Sequence, residues 1–106
     1  MQIHERHPEG WKNINWYMTN YFKPAKNFES FVYATMVMQG YTIQYGIESL
    51  MRNRPYCMGS LYWQLNDVWP VFSWASVDFF GQWKALHFRA KEMYKDTTVF
   101  LFPRDN

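Results

Sequence analysis

Apolar residues recur at helical spacing along the first half of the chain, in two stretches that a proline segment separates. The first stretch follows Pro8 and ends at Lys23-Pro24, where the proline ring cannot continue a helix. This spacing predicts a helix over residues 9–21. Its apolar face carries Trp11, Ile14, Met18 and Tyr21.

The second stretch predicts a long helix that begins after Asn27 and runs to about Arg52. Asparagine is a favoured N-cap, because its side-chain oxygen accepts a hydrogen bond from the first turn. Gly40 and Gly46 each cost about 1 kcal/mol of helix propensity relative to alanine, so we expect a close approach of the helix to a sheet there. The apolar stripe consists of Phe28, Val32, Met36, Ile43, Ile47 and Leu50.

The second half of the chain predicts a strand, a long loop, a helix and a second strand. Residues 57–65 are rich in side chains that favour strands, and the turn formers that follow should end the strand. Residues 66–81 predict an aromatic loop that is long enough to line a site. A helix over 82–94 and a strand over 97–102 complete the order, without an internal repeat.

One segment has the composition of a ligand-binding surface. Residues 61–70 form an apolar, aromatic strand that ends in amides, a carboxylate and a second tryptophan. Such a segment is suited to bind a polar, ring-shaped ligand. A buried strand followed by an aromatic-packed loop accounts for the same residues, since tryptophan is also bulky core material. The aromatic share of 22% does not separate the two interpretations.

Charge and cysteine usage give no further partner. The net charge is +2, with Lys and Arg dispersed, so nothing predicts binding to nucleic acid or to an anionic membrane. No apolar run approaches the roughly 20 residues that span a bilayer. Cys57 is the only cysteine, which excludes an internal disulfide and predicts no particular compartment.

Metal and cofactor patterns are also missing from the sequence. His4 and His7 are three residues apart and Pro8 follows at once, unlike the zinc-binding helix pattern His-Glu-x-x-His. Neither Ser73 nor Ser76 has a nucleophile-elbow context. We therefore expect no metal and no cofactor.

Longer motifs resemble the C-terminal part of the catalytic barrel in β-mannosidases of glycoside hydrolase family 2. The resemblance covers about residues 27–94 and is carried by NRPYCMGSLYWQLNDVWP at 53–70, SWASVD at 73–78 and GQWKALH at 81–87. It implies an α/β fold, in which the chain contributes the last strand and last helix of a TIM (β/α)8 barrel.

The same resemblance implies a domain division. A complete barrel of this kind needs about 250 residues, so we expect this chain of 106 residues to be a piece of a larger protein. Residues 1–95 would belong to the barrel. Residues 96–106 would open the β-sandwich domain that follows it.

The resemblance also implies where the chemistry lies. Retaining glycosidases use two carboxyl groups about 5 to 5.5 Å apart. In this family both are glutamates, one after an Asn and one in a Ser-Glu-aromatic-Gly segment, and the chain contains neither pattern. We therefore expect both catalytic glutamates upstream of Met1 and none among Glu5, Glu9, Glu29, Glu48 and Glu92.

By resemblance, Trp63 matches the position where these enzymes place an indole under the sugar next to the scissile bond. An aromatic face packs against the apolar C–H groups of a sugar ring, so we expect Trp63 to contact the substrate. For Asp67 the alternative is a loop hydrogen bond or a cap. The residues expected at the rim of the site or behind it are Asn66, Asp67, Trp69 and Trp74.

The favoured interpretation is that the chain is a segment of an exo-acting, retaining β-mannosidase that hydrolyses terminal β-linked mannose. The resemblance alone implies this substrate. Other family 2 activities fit the same segment, among them exo-β-glucosaminidase, β-galactosidase and β-glucuronidase. An aromatic-rich carbohydrate-binding or interaction module without catalysis is the alternative of a different class. The expected partners are a carbohydrate and the remainder of the barrel, and the chain alone is expected to self-associate.

Overall fold

The two longer helices lie where the apolar spacing predicts them. The computed structural model describes residues 4–101. Helix α1 spans Gly10–Tyr21 and helix α2 spans Phe28–Arg52. Asn27 caps α2, since its side chain accepts a hydrogen bond of 2.8 Å from the backbone N–H of Ser30. Both predicted helices, and the predicted cap, are confirmed.

The third helix is shorter than the pattern predicts. Helix α3 spans Ala85–Met93 and begins at Ala85 rather than at residue 82. A tight turn precedes it, in which Oδ1 of Asp78 accepts hydrogen bonds of 2.9 and 2.8 Å from the backbone N–H groups of Phe80 and Gln82. The turn brings Trp83 into an antiparallel bridge, and this pairing delays the start of the helix.

The two strand predictions are wrong for this structure: residues 57–65 form no strand, and neither do residues 97–101. Residue 102 lies outside the described residues. Within 4–101 the sheet-like pairings are two isolated bridges of Val77, parallel with Asn66 and antiparallel with Trp83.

The reason for the missing strand is the lack of partners. A central barrel strand exchanges backbone hydrogen bonds with a neighbour on each edge, and residues 4–101 offer no strand to pair with the 57–65 segment. The described part of the chain is therefore helical, and the predicted α/β barrel sheet and β-sandwich strand are not formed within it.

The core lies between α2 and α3. Ile47 of α2 forms a buried cluster with Ala90 and Met93 of α3, and Tyr62 from the 57–65 segment packs against this cluster. Leu86 of α3 is fully buried. The core therefore holds Tyr62, the residue next to Trp63, which is expected to contact the substrate.

Gly40 marks a close approach of α2 to α3. A Cβ at this position would lie 3.1 Å from Cδ of Arg89 and 3.4 Å from the backbone of Ala85 and Leu86. A Cβ at Gly46 would meet no atom of the described chain within 4 Å. The expected close approach exists at Gly40 alone, and the partner is a helix instead of a sheet.

The chain alone is expected to self-associate through the 57–65 segment. Exposure alternates along this segment: Leu61 is fully exposed and Trp63 is 73% exposed, whereas Tyr62 is partly buried. Unpaired backbone groups beside exposed apolar side chains favour pairing with another copy. Light scattering should therefore detect species larger than a monomer. The positive charge that Leu61→Lys introduces should shift the equilibrium toward the monomer. A monodisperse monomer with cooperative unfolding for the unchanged chain would contradict this prediction.

Candidate functional site

Trp63 presents its indole to solvent near the end of the 57–65 segment. Its neighbour Tyr62 packs against the core, and the alternating exposure of the segment leaves Trp63 exposed. The peptide bond between Trp63 and Gln64 is cis. An accessible flat aromatic face is the kind of surface against which a sugar ring packs.

Backbone hydrogen bonds hold the chain immediately after Trp63. The backbone N–H of Ser76 donates to the carbonyl oxygen of Gln64 at 3.0 Å, and the N–H of Val77 donates to the carbonyl oxygen of Leu65 at 2.8 Å. The 66–81 loop thus returns to the 57–65 segment at the site of the exposed indole.

Side-chain contacts of Ser76 reinforce this connection. Ser76 is fully buried, and its Oγ lies 3.0 Å from the hydroxyl of Tyr62, 3.0 Å from Nδ1 of His87 and 3.1 Å from the carbonyl oxygen of Leu65. We call Ser76, Tyr62, His87 and the backbone of Gln64 and Leu65 the Ser76 cluster. His87 is a packed histidine, and its ring also lies 4.4 Å from that of Trp83 between centroids.

Asp67, in the 66–81 loop, forms a buried ion pair with Lys84, which precedes α3. Oδ2 of Asp67 accepts a hydrogen bond of 2.6 Å from the hydroxyl of Ser73 and lies 3.3 Å from Nζ of Lys84. The side chains of Asp67 and Lys84 are only 6% and 11% exposed. The same Ser73 oxygen accepts from the backbone N–H of Ala75 at 3.1 Å. These are loop hydrogen bonds, the alternative foreseen for Asp67.

Trp69 is covered by residues that precede α1. Its ring stacks on that of His4, with 5.1 Å between centroids and 22° between planes. The guanidinium carbon of Arg6 lies 4.4 Å from the Trp69 ring centroid, in a cation–π arrangement. Nδ1 of His4 also lies 2.8 Å from the carbonyl oxygen of Pro70. One face of Trp69 is therefore engaged within the chain.

Trp74 and Asn66 are both exposed. The carbonyl oxygen of Trp74 accepts a hydrogen bond of 2.8 Å from Nε2 of Gln39, which ties the loop to α2. The carbonyl oxygen of Asn66 accepts one of 2.7 Å from Nε2 of Gln64. In both cases the described hydrogen bond uses the backbone and leaves the side chain accessible.

A groove of about 1190 Å³ opens between α1, α2 and the 66–81 loop. Asp67, Trp69 and Trp74 line it, whereas Trp63 and Asn66 are not among its described lining residues. The structure therefore brings three of the five predicted site residues together in one groove.

Within residues 4–101, no group of three or more His, Cys, Asp and Glu side chains is arranged to hold a metal ion. Over the same range, no helix has both the length and the apolar character needed to cross a membrane.

Sequence reasoning missed Lys84, Gln39 and the cluster role of Ser76. These side chains bond to partners between 11 and 35 positions away, as for Ser76 with His87 and Gln39 with Trp74. No local spacing predicts such pairs.

Asp67→Asn is expected to lower the free energy of unfolding by about 1.5 to 3 kcal/mol, because it removes a charged acceptor from a buried ammonium group. Asp96→Asn is the matched control, since Asp96 is exposed and surface changes fall within about 0.5 kcal/mol. Urea denaturation of the chain at one fixed concentration, followed by circular dichroism, measures both. Equal midpoints for the two variants would show that the ion pair contributes nothing.

Known β-mannosidases are similar to most of the chain. The enzyme of Mus musculus is 40% identical over 78 residues, which is 67% of this chain and 9% of that protein. The enzyme of Bos taurus is 33% identical over 88 residues, 76% of this chain and 10% of that protein. β-Mannosidase B of Aspergillus flavus is 34% identical over 91 residues, 83% of this chain and 11% of that protein. The chain thus spans about a tenth of the length of these curated relatives.

The fold is similar to part of a solved structure. The crystal structure of β-D-mannosidase from Dictyoglomus thermophilum matches 98% of this chain and 13% of that chain, with a TM-score of 0.90 and 33% sequence identity. No protein-family profile matches the chain. The sequence relatives and the structural match together show that the chain is a β-mannosidase-like segment.

Proposed function

We propose that the chain is part of the catalytic (β/α)8 barrel of an exo-acting, retaining β-mannosidase of glycoside hydrolase family 2. In this enzyme the segment supplies the exposed face of Trp63, which we call the sugar platform. The remainder of the barrel supplies both catalytic glutamates. The substrate is terminal β-linked mannose.

One observation carries the proposal: 98% of the chain matches part of the structure of a β-D-mannosidase, with a TM-score of 0.90 and 33% sequence identity. At that level of identity, the matching backbone supports the proposal that the chain occupies the same part of its own enzyme as the matched residues occupy in the solved β-D-mannosidase. The 73% exposure of Trp63 fits its role as the sugar platform, because the described helices leave most of the indole uncovered.

The other predicted residues take different roles in this proposal. Asn66 and Trp74 have accessible side chains and form the rim of the site. Asp67 supports the loop, because Ser73 and Lys84 engage its carboxylate. Trp69 holds the loop to the chain before α1.

Four of the five glutamates in the described residues have local partners, and the fifth, Glu29, lies in the first turn of α2; this supports a catalytic pair supplied from elsewhere in the barrel. Each partner lies within six positions in sequence. These carboxylates therefore stabilise the local chain. The pairs are Glu5 with the N–H of Trp11, Glu9 with Lys12, Glu48 with Gln44, and Glu92 with Lys95.

A chimera tests the placement. In it, residues 4–101 of this chain replace the matching residues of the Dictyoglomus thermophilum enzyme. The chimera should hydrolyse 4-nitrophenyl β-mannoside, whereas the same enzyme with the segment deleted should not. A chimera with the circular dichroism and size of the parent enzyme but without hydrolysis would contradict the proposal.

The identity of the sugar needs a separate test, because residues outside this segment largely determine it. The complete enzyme that carries this chain should show its highest kcat/KM on an aryl β-mannoside. The comparison substrates are the corresponding β-galactoside, β-glucuronide and β-glucosaminide. A preference for one of these would keep the barrel assignment and replace mannose as the substrate.

A further inference from the structure

We propose that Ser76 is a positioning residue for the sugar platform: its contacts with the hydroxyl of Tyr62 on one side of Trp63 and with the backbone of Gln64 and Leu65 on the other set the position of the indole. This inference rests on the proposed function and goes beyond it, because Ser76 itself is fully buried and cannot touch a substrate.

The backbone after Trp63 is the first part of the evidence. Two consecutive carbonyl groups, those of Gln64 and Leu65, accept hydrogen bonds from the consecutive amides of Ser76 and Val77 at 3.0 and 2.8 Å. In turn, the carbonyl oxygen of Ser76 accepts from the N–H of Lys84 at 2.9 Å. Ser76 therefore links the platform segment to the residue that immediately precedes α3.

The side chain of Ser76 connects the residue before Trp63 as well. A serine hydroxyl has one proton to donate and two lone pairs that accept. If the proton goes to the carbonyl oxygen of Leu65, the lone pairs accept from the hydroxyl of Tyr62 and from N–H at Nδ1 of His87. The three observed contacts of 3.0, 3.0 and 3.1 Å are then all satisfied. Removing this one oxygen takes a hydrogen-bond partner from the hydroxyl of Tyr62 and leaves the Leu65 carbonyl with its bond from the N–H of Val77.

Trp63 depends on these contacts because it has little packing of its own. Most of its side chain is exposed, so within the described chain the backbone that carries it contributes most to where the indole lies. A misplacement of about 1 Å in a binding group can lower the rate of an enzyme by roughly 100-fold. A buried hydrogen-bond cluster behind an exposed platform is the arrangement that limits such displacement.

A double-mutant cycle in the chimera tests the proposal. Ser76→Ala should lower kcat/KM on 4-nitrophenyl β-mannoside by roughly 10- to 100-fold, with a raised KM, because a misaligned platform binds the sugar less well. In a Trp63→Ala background, Ser76→Ala should cause little further change, since residues that act through one another are not additive. Full additivity would overturn the positioning role.

Control variants separate positioning from general stability. Thr35→Val removes another buried hydroxyl, which donates at 2.8 Å to the carbonyl oxygen of Val32 within α2, and should leave KM unchanged. Tyr62→Phe removes only the hydroxyl that contacts Ser76, and should raise KM even if Ser76→Ala fails to fold. An unchanged KM in Tyr62→Phe would overturn the proposal. Full activity of Trp63→Ala would instead overturn the proposed function, so the two failures are distinguishable.

Discussion

The 106-residue chain alone is expected to hydrolyse an aryl β-mannoside no faster than buffer. Retaining hydrolysis requires two carboxyl groups about 5 to 5.5 Å apart on either side of the anomeric carbon. In our proposal both come from the rest of the barrel. Enzymes accelerate their reactions by about 10⁶-fold or more, so the loss of both groups removes all measurable turnover.

Release of 4-nitrophenol by the purified chain, compared with a buffer control, measures this. Turnover by the chain that disappears when one of its own glutamates is changed to glutamine would overturn the assignment of the catalytic pair. If the chain binds mannose oligosaccharides while the chimera remains inactive, the non-catalytic binding module becomes the better explanation.

In the chimera, Trp63→Ala is expected to lower kcat/KM by roughly 30- to 1,000-fold. Truncation of a well-packed aromatic contact costs about 2 to 4 kcal/mol. The alanine leaves no flat face beneath the sugar, so both the bound sugar and the distorted ring at the transition state lose their support. Steady-state kinetics on 4-nitrophenyl β-mannoside measures the effect.

Two further variants make this result specific. Trp63→Phe should recover part of the loss, because phenylalanine keeps a smaller aromatic face. Trp16→Ala is the matched control: Trp16 is also exposed, but it lies on α1 against Tyr17 and Tyr21. It should leave kcat/KM unchanged. Normal folding and full kcat/KM for Trp63→Ala would show that this indole is only packing.

The helices were predictable where local chemistry determines them. The apolar spacing of α1 and the Asn27 cap of α2 depend on residues within a few positions of each other. The start of α3 was not predictable from its apolar stripe, because the Asp78 turn and the bridge between Val77 and Trp83 extend the chain there.

The strand and the site depended on information outside the local sequence. The 57–65 segment has the composition of a strand, but a strand also needs neighbours, which residues 4–101 do not provide. Trp63 was identified by resemblance, and its exposure fits that role. Resemblance could not predict that Lys84 would bury the Asp67 carboxylate or that Ser76 would bond on both sides of Trp63, because these contacts depend on how the loop folds back.

A crystal structure of the chimera with a mannose-shaped inhibitor bound tests the sugar platform most directly, through the distance between the Trp63 indole and the sugar ring carbons. We expect the sugar to lie flat on the indole, with carbon atoms about 3.5 to 4 Å from the ring. A bound sugar with no atom within about 4.5 Å of Trp63 would contradict this expectation.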